Sequence, residues 1–239
     1  MNRRPDNAFL NSLPADSYEK LAVNLKSVDL ALGARVSLQG GPVDWVYFPE
    51  TCLLSMISAS DAGESVETSM VGAEGAAGVL EAGGSGRSSV ECVVQVDGRA
   101  WRTPAAHCRK LMASDAGFAA AAWNAVELQM AESRQSALCQ AMHPVEARFA
   151  RWLLESVDRS AGRNPLPLTQ EFLAAMLGVQ RTTVSAFAAR LQREGLMTYS
   201  RGKLAVDDEA GMERKSCDCR RAVVAQRRRL GFPAPSAQA

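Results

Sequence analysis

Hydrophobic and polar positions follow two rhythms along the chain, and the change falls near residue 104. Before it, short apolar or alternating runs are cut by turn residues. "GARVSLQGGPVDWVYF" is punctuated by Gly33, Gly40, Gly41 and Pro42, and "CLLSMISASDAGESVETSMV" predicts a hairpin around Asp61-Ala62-Gly63. In "SSVECVVQVDGRAWR", Val90, Cys92, Val94 and Val96 alternate onto one face, and Asp97-Gly98 turns the chain into a further strand. Many short strands at regular spacing predict a small antiparallel roll or barrel. After Pro104 the chain is rich in Ala, Leu, Met, Gln and Glu, which favour helix.

A long helix is predicted over residues 114–143, capped by Ser114 or Asp115 and roughly 40 Å long at 1.5 Å per residue. Phe118, Ala122, Val126, Met130 and Ala137 share one stripe, interrupted by Ser133. A helix of this length needs a buried face, supplied either by its own roll or by a second copy, and the pattern permits both. His143-Pro144 ends it. Pro144 fits the first position of a new helix with Val145, Phe149, Trp152 and Leu153 inward.

The most informative segment is "LTQEFLAAMLGVQRTTVSAFAARLQREGLMTYSRGKLAVDD". Thr169 caps a short helix whose apolar face is Phe172, Leu173, Met176 and Leu177. Gly178 stops it and allows a sharp turn. A second helix follows with Val184, Phe187, Ala188 and Leu191 inward, and "LMTYSRGKLAVDD" predicts two short strands around Arg201-Gly202-Lys203. Helix, glycine turn, helix and hairpin form the winged helix-turn-helix pattern. Its second helix fits the major groove, its polar start faces base edges, and basic residues on the wing reach the phosphate backbone. The expected DNA contacts are Thr169, Gln180, Arg181, Thr182, Thr183, Ser185, Arg201 and Lys203.

The fold class expected is therefore α+β. An antiparallel β-roll (residues 1–113) is followed by a long helix (114–143). A winged helix-turn-helix domain (144–210) and a basic C-terminal helix and tail (211–239), with "APSAQA" as a frayed end, complete the chain.

Charge sharpens the picture. The formal net charge is only +1, but residues 169–230 hold 12 Lys and Arg against 7 Asp and Glu. A basic C-terminal part on an acidic remainder fits a polyanion partner; a solvated basic tail accounts for the same numbers. No apolar run reaches the length of a membrane span, and "MNRRPDNAFLNSLPADSYEK" lacks the apolar core of a signal peptide, so a cytoplasmic protein without a membrane partner is expected.

With these motifs the chain resembles the Crp/Fnr family of bacterial transcription regulators. The likeness is strongest over "LTQEFLAAMLGVQRTTVSAFAARLQREGLMTYSRGKLAV" and looser over "VDWVYFPETCLLSMI" and "GAEGAAGVLEAGGSGRSSVECVVQVDG". The resemblance implies a cyclic-nucleotide-binding-like roll of the double-stranded β-helix or jelly-roll type, a dimerisation helix at residues 114–143, a homodimer on a two-fold symmetric operator, and action on RNA polymerase.

Several positions depart from the family. Its cyclic-nucleotide cassette, Gly-Glu followed by Arg-Ser/Thr-Ala, is matched at the phosphate end by Arg87, Ser88 and Ser89. At the ribose end the chain has Gly75-Ala76, with Glu74 displaced by two positions. Losing that carboxylate removes a charge-assisted hydrogen bond, so a different effector or none is expected. Iron–sulfur members carry an N-terminal cysteine cluster, whereas the first cysteine here is Cys52, and the two histidines, His107 and His143, give little support for haem. Cys217 and Cys219 are the one close cysteine pair; the sequence reveals no further ligands for a metal and they read as ordinary cysteines. Ala186 stands where many members have a base-reading arginine, which moves readout toward Gln180, Arg181, Thr182 and Ser185. Arg181 suits either a guanine or a phosphate.

Two rivals remain at this level. A cyclic-nucleotide-binding signalling module acting through protein partners is opposed by the basic C-terminal part and the Arg-Gly-Lys wing. An enzyme is opposed by the lack of any visible pairing of nucleophile and base.

Overall fold

In the computed structural model, residues 4–232 are described; "APSAQA" lies outside them. Two short helices, α1 (Ala8–Ser12) and α2 (Ala15–Ala22), precede the strands. The strands are β1 (Lys26–Leu30), β2 (Arg35–Ser37), β3 (Trp45–Pro49), β4 (Leu53–Ala59), β5 (Ser65–Val71), β6 (Glu91–Val96) and β7 (Gly98–Pro104), with α3 (Val79–Gly83) between β5 and β6. They form two antiparallel sheets, ordered β1-β7-β3 and β2-β6-β4-β5. The predicted hairpin joins β4 to β5, with Gly63 at φ 84 in its turn. Tyr47, Leu54, Met56, Cys92, Val94 and Ala100 fill the space between the sheets. Val96 departs from the face it shares in the sequence pattern. A register shift between Leu53 and Leu54 moves it into the cluster under the helix that follows the long helix.

Next come α4 (Ala105–Ser114) and the long helix α5 (Ala116–Met142). Asp115 caps α5 by accepting the Phe118 N–H at 2.8 Å, while Ser17 and Lys20 of α2 donate to the same carboxylate, each at 2.6 Å. Those hydrogen bonds, the one from Lys20 foremost, hold the Asp115 carboxyl well below the usual carboxylate range. The stripe of α5 that is buried runs through Phe118, Ala122, Ala125, Leu128, Glu132, Ser136 and Cys139. Of the predicted stripe only Phe118 and Ala122 are fully buried; Met130 and Ala137 face outward. The Ala-rich composition makes several faces equally apolar, so the pattern did not choose between them.

α6 (Val145–Arg159) buries Phe149, Trp152 and Leu153. It is followed by β8 (Leu166–Pro167), α7 (Gln170–Leu177), α8 (Arg181–Arg193), β9 (Met197–Ser200) and β10 (Lys203–Val206). The wing has three strands, ordered β8-β10-β9, where the sequence pattern predicts two. Leu166 and Pro167 are too short a run to show a strand period. The C-terminal elements are α9 (Glu209–Lys215) and α10 (Cys219–Arg229). Met212 of α9 is fully buried in the helix-turn-helix core, so α9 belongs with the residues before it rather than with the tail.

α10 is not a solvated tail either. Arg227, only 4% exposed, pairs with Glu74 at 2.9 Å, and Arg220 pairs with Asp158 and Glu213 at 2.7 and 2.6 Å. Part of the local positive charge is thus consumed inside the fold. β4 is buried on both faces. Leu54 and Met56 face the roll interior, while Leu53 and Ile57 join Phe149, Leu153, Leu173, Met176 and Phe187 in one core. The roll and the winged helix share that core.

Candidate nucleic-acid interface

α7 and α8 meet at 108°, within the range of a helix-turn-helix. The turn is set by Gly178 at φ 62, ψ 42, the left-handed conformation that glycine adopts without strain. Its N–H bonds to the Ala175 carbonyl and the Val179 N–H to the Ala174 carbonyl, which closes the end of α7. Val179 is half-buried against the shared core. Val184, Phe187, Ala188 and Leu191 anchor α8, with the Phe187 ring 4.8 Å from that of Phe149.

The opposite side of α8 is free. Gln180, Arg181, Thr182 and Ala186 are exposed, and Thr183 is half-buried. Gln180 occupies the N-cap position without a capping side-chain bond. The first N–H groups of α8 therefore point outward beside the positive end of the helix dipole, an arrangement suited to a phosphate. Among the described residues Arg181 makes no ion pair, whereas Arg190 further along is engaged by Glu146 of α6. Ser185 is differently placed: its hydroxyl lies 2.7 Å from Gln170 Oε1 and 3.1 Å from the Arg181 carbonyl, so it joins α8 to α7. Thr169 Oγ1 accepts the Phe172 N–H and caps α7. At the wing tip Arg201 (φ 51) and Gly202 (φ 72) make a two-residue turn, and Ser200 pairs with Lys203 across it. Two successive positive φ angles match the twist of the flanking strands and set Arg201 and Lys203 at the exposed tip.

Arg87, Ser88 and Ser89, which match the phosphate end of the family cassette, do not converge on one site in the roll. Arg87 is exposed and its guanidinium donates to the Gly40 carbonyl. Ser89 is exposed, and Ser88 alone of the three is buried, with its hydroxyl donating to the Val90 carbonyl at 2.7 Å. Glu74 faces away from the roll interior and pairs with Arg159 and Arg227. Burial works against its charge, but the two guanidinium groups outweigh it and hold its pKa below the ordinary value. The interior cavity is lined by Trp45, Tyr47, Met56, Glu81, Ser88 and Cys92 among others, and has room for about one water.

Sequence reasoning missed a second constellation. Cys139 at the end of α5 and His143 just after it lie beside Cys217 and Cys219, the pair for which the sequence showed no further ligands. A separation of 76 to 78 residues hides the meeting; only the four-residue step from Cys139 to His143 was visible. A hydrogen bond with Cys139 lowers the Cys217 thiol below its ordinary value against the effect of burial, with help from the charge of Arg151.

Exposed side chains at the free start of a helix set across a glycine turn, beside a basic wing, are the arrangement of a DNA-binding winged helix-turn-helix. Residues 147–215 match the family model for the Crp-like helix-turn-helix domain. The chain has the fold of solved Crp/Fnr regulators. A protein from Eubacterium rectale assigned to that family superposes with a TM-score of 0.70 at 20% identity, over 88% of this chain and 98% of its own. A CRP/FNR-family transcriptional regulator from Thermus thermophilus gives 0.64 at 22%, over 80% and 98%. The c-di-GMP-responsive global regulator CLP of Xanthomonas campestris gives 0.65 at 15%, over 81% and 99%. Comparison with curated protein sequences gives no match. This is a regulator with a Crp-like reading domain on a Crp/Fnr fold. Among the described residues no single helix is long and apolar enough to cross a membrane.

Proposed function

We propose that the protein binds a two-fold symmetric operator as a cytoplasmic homodimer, with α8 in the major groove, and acts on RNA polymerase from that site. The observation that carries the reading is the free N-terminal end of α8, where Gln180, Arg181 and Thr182 stand exposed. Arg181 and Gln180 read base edges or hold the backbone, Thr182 and Thr183 complete the helix start, and Arg201 and Lys203 reach flanking phosphates. Ser185 and Thr169 act by fixing the helices that carry these groups. Dimerisation is supported by α5, where Trp123, Met130 and Leu138 are 59%, 42% and 51% exposed along one side. Apolar side chains in that arrangement suit a second copy of the same helix.

Selection from a random duplex pool tests the reading. Recovered sites are expected to be two-fold symmetric, with half-sites about one helical turn apart. Arg181→Ala is expected to weaken binding by about 1–3 kcal/mol, and Lys203→Ala to lower the salt slope by about one unit. Absence of binding at low salt, or indifference to Arg181→Ala, would sink the proposal.

The same reading gives the roll an effector other than a cyclic nucleotide, or none. Support comes from Arg87 turned outward, Ala76 at the carboxylate position and the filled interior. Micromolar cyclic AMP or cyclic GMP is expected to leave the melting temperature unchanged; stabilisation by either contradicts this. Any effector must bind two arrangements of the reading helices with different affinity.

A further inference from the structure

Cys139 lies in the last turn of α5, and His143 follows four residues later, one turn along on the same side. Cys217 and Cys219 flank Asp218 at the start of α10. The three sulfurs are buried, and the four donor atoms all lie within 4.8 Å of one another. Cys139 Sγ is 3.5 Å from Cys217 Sγ, and Cys219 Sγ is 3.4 Å from His143 Nδ1. A tetrahedral zinc ion with Zn–S about 2.3 Å and Zn–N about 2.0–2.1 Å spaces its ligand atoms about 3.5–3.8 Å apart. The two measured spacings lie close to that requirement, and the remaining pairs, all within 4.8 Å, reach it with shifts of about 1 Å.

We infer that Cys139, His143, Cys217 and Cys219 bind one zinc(II) ion in a closed structural site. Three soft thiolates and one imidazole in a four-donor set favour zinc over the hard cations, and four protein ligands leave no open position for catalysis. Binding releases the thiol protons, leaving the zinc with three thiolates at a net charge of −1. Arg148 and Arg151 of α6 act electrostatically on Cys139 and Cys217 and offset part of that charge, Arg151 being shared with Glu155 at 3.2 Å. An outer partner for the imidazole is also in place. Coordination through Nδ1 leaves Nε2 facing Asp218 Oδ1, 3.7 Å away, and such carboxylates orient metal-bound histidines.

Other uses of the cluster fit less well. A Cys139–Cys217 disulfide leaves the contact between Cys219 and His143 without a purpose. A Cys219–His143 nucleophilic pair needs substrate access, and Cys219 is fully buried. Zinc engages all four residues. It would join the end of α5 to the start of α10 beside Ala147, whose carbonyl accepts the Cys217 N–H. The clamp thereby fixes the junction between the long helix and α6, which carries the reading domain.

The test is metal analysis of full-length protein grown with zinc. One zinc per chain is expected, released in step with titration of three thiols by a mercurial. Apoprotein loaded with cobalt(II) is expected to show the strong visible bands of tetrahedral thiolate coordination, and one equivalent of zinc to abolish them. Cys139→Ser and Cys219→Ser should lose the metal, while His143→Cys, which keeps a fourth donor, should retain it. The cobalt spectrum of the parent protein decides the question if the serine variants do not fold. Folded parent protein with six free thiols, no stoichiometric zinc and no cobalt bands overturns the assignment. An iron–sulfur chromophore or a Cys139–Cys217 disulfide does so as well.

Discussion

Arg159→Met is expected to cost about 3–5 kcal/mol of unfolding free energy, the usual penalty for removing one member of a buried ionic network. Arg159 is 3% exposed and ties two distant segments, α5 and the end of β5 with the turn after it, to α6. Its guanidinium is bidentate to Glu132 of α5, at 2.8 and 3.0 Å. It also reaches Glu74 at 3.2 Å and donates to the Met70 carbonyl at the end of β5 at 2.6 Å. The chain comes very close here: a Cβ on Gly72 would sit 2.4 Å from the Arg159 carbonyl, so the contact tolerates only glycine. Without Arg159, Glu74 keeps Arg227, but among the described residues Glu132 is left buried with no partner at hydrogen-bond distance. Burial already pushes the Glu132 pKa up while Arg159 opposes it. The variant should therefore be least destabilised at acid pH, where Glu132 takes up a proton. Urea unfolding of Arg159→Met, Glu132→Gln and the double variant measures this. The double variant should recover a large part of the loss; a double variant no better than Arg159→Met would show that the guanidinium acts through packing alone.

Glu67→Gln is expected to remove a pH dependence of stability worth on the order of 3 kcal/mol. Glu67 is buried between β5 and α6, and desolvation raises its pKa from 4.5 to about 7. Its neighbours point to the protonated form. Ser55 Oγ lies 2.5 Å from Glu67 Oε2 and 2.7 Å from Gln95 Oε1, yet the hydroxyl carries a single proton. A protonated Glu67 satisfies both contacts by donating to Ser55, which then donates to Gln95. Trp152 Nε1 donates to the other Glu67 oxygen at 2.7 Å. Glutamine can keep the same pattern, with its amide in place of the acid proton.

A folded-state pKa above the unfolded one means that the native protein binds the extra proton. This contribution is full below about pH 4.5 and lost as pH rises through about 7. At about 1.4 kcal/mol per pKa unit, the parent should lose on the order of 3 kcal/mol relative to Glu67→Gln across that window. Paired thermal melts over the same range measure the difference. Parallel curves for the two proteins would show that Glu67 is ionised in the native state.

The helix-turn-helix was legible because its signals are local. A capping threonine, a glycine that must adopt positive φ, two amphipathic faces and a short basic hairpin all lie within about forty residues of chain. The roll was legible as a class of fold through strand alternation and turns. What could not be read depends on pairings between distant segments. The stripe of α5 was misplaced because alanine hides the boundary between faces. Val96 changed clusters at a bulge that no sequence pattern marks. Arg227 looked like part of a solvated tail because Glu74 lies some 150 residues away. Ser185 looked free to read a base because its partner Gln170 sits on the preceding helix. The cysteine–histidine cluster was invisible for the same reason, although one of its two halves had been noticed.

The core shared by the roll and the winged helix bears on how this regulator can be taken apart. The matched family segment, residues 147–215, does not contain the whole of its own core. Cutting there would strip Leu53, Ile57, Met70 and Val96 from one side of its core, and would remove α10 with the Arg227 that partners Glu74. The reader of this regulator is packed onto its roll rather than held on a tether. A change of packing at Leu53, Ile57, Met70 or Val96 of the roll is thus also a change in the core on which α7 and α8 rest.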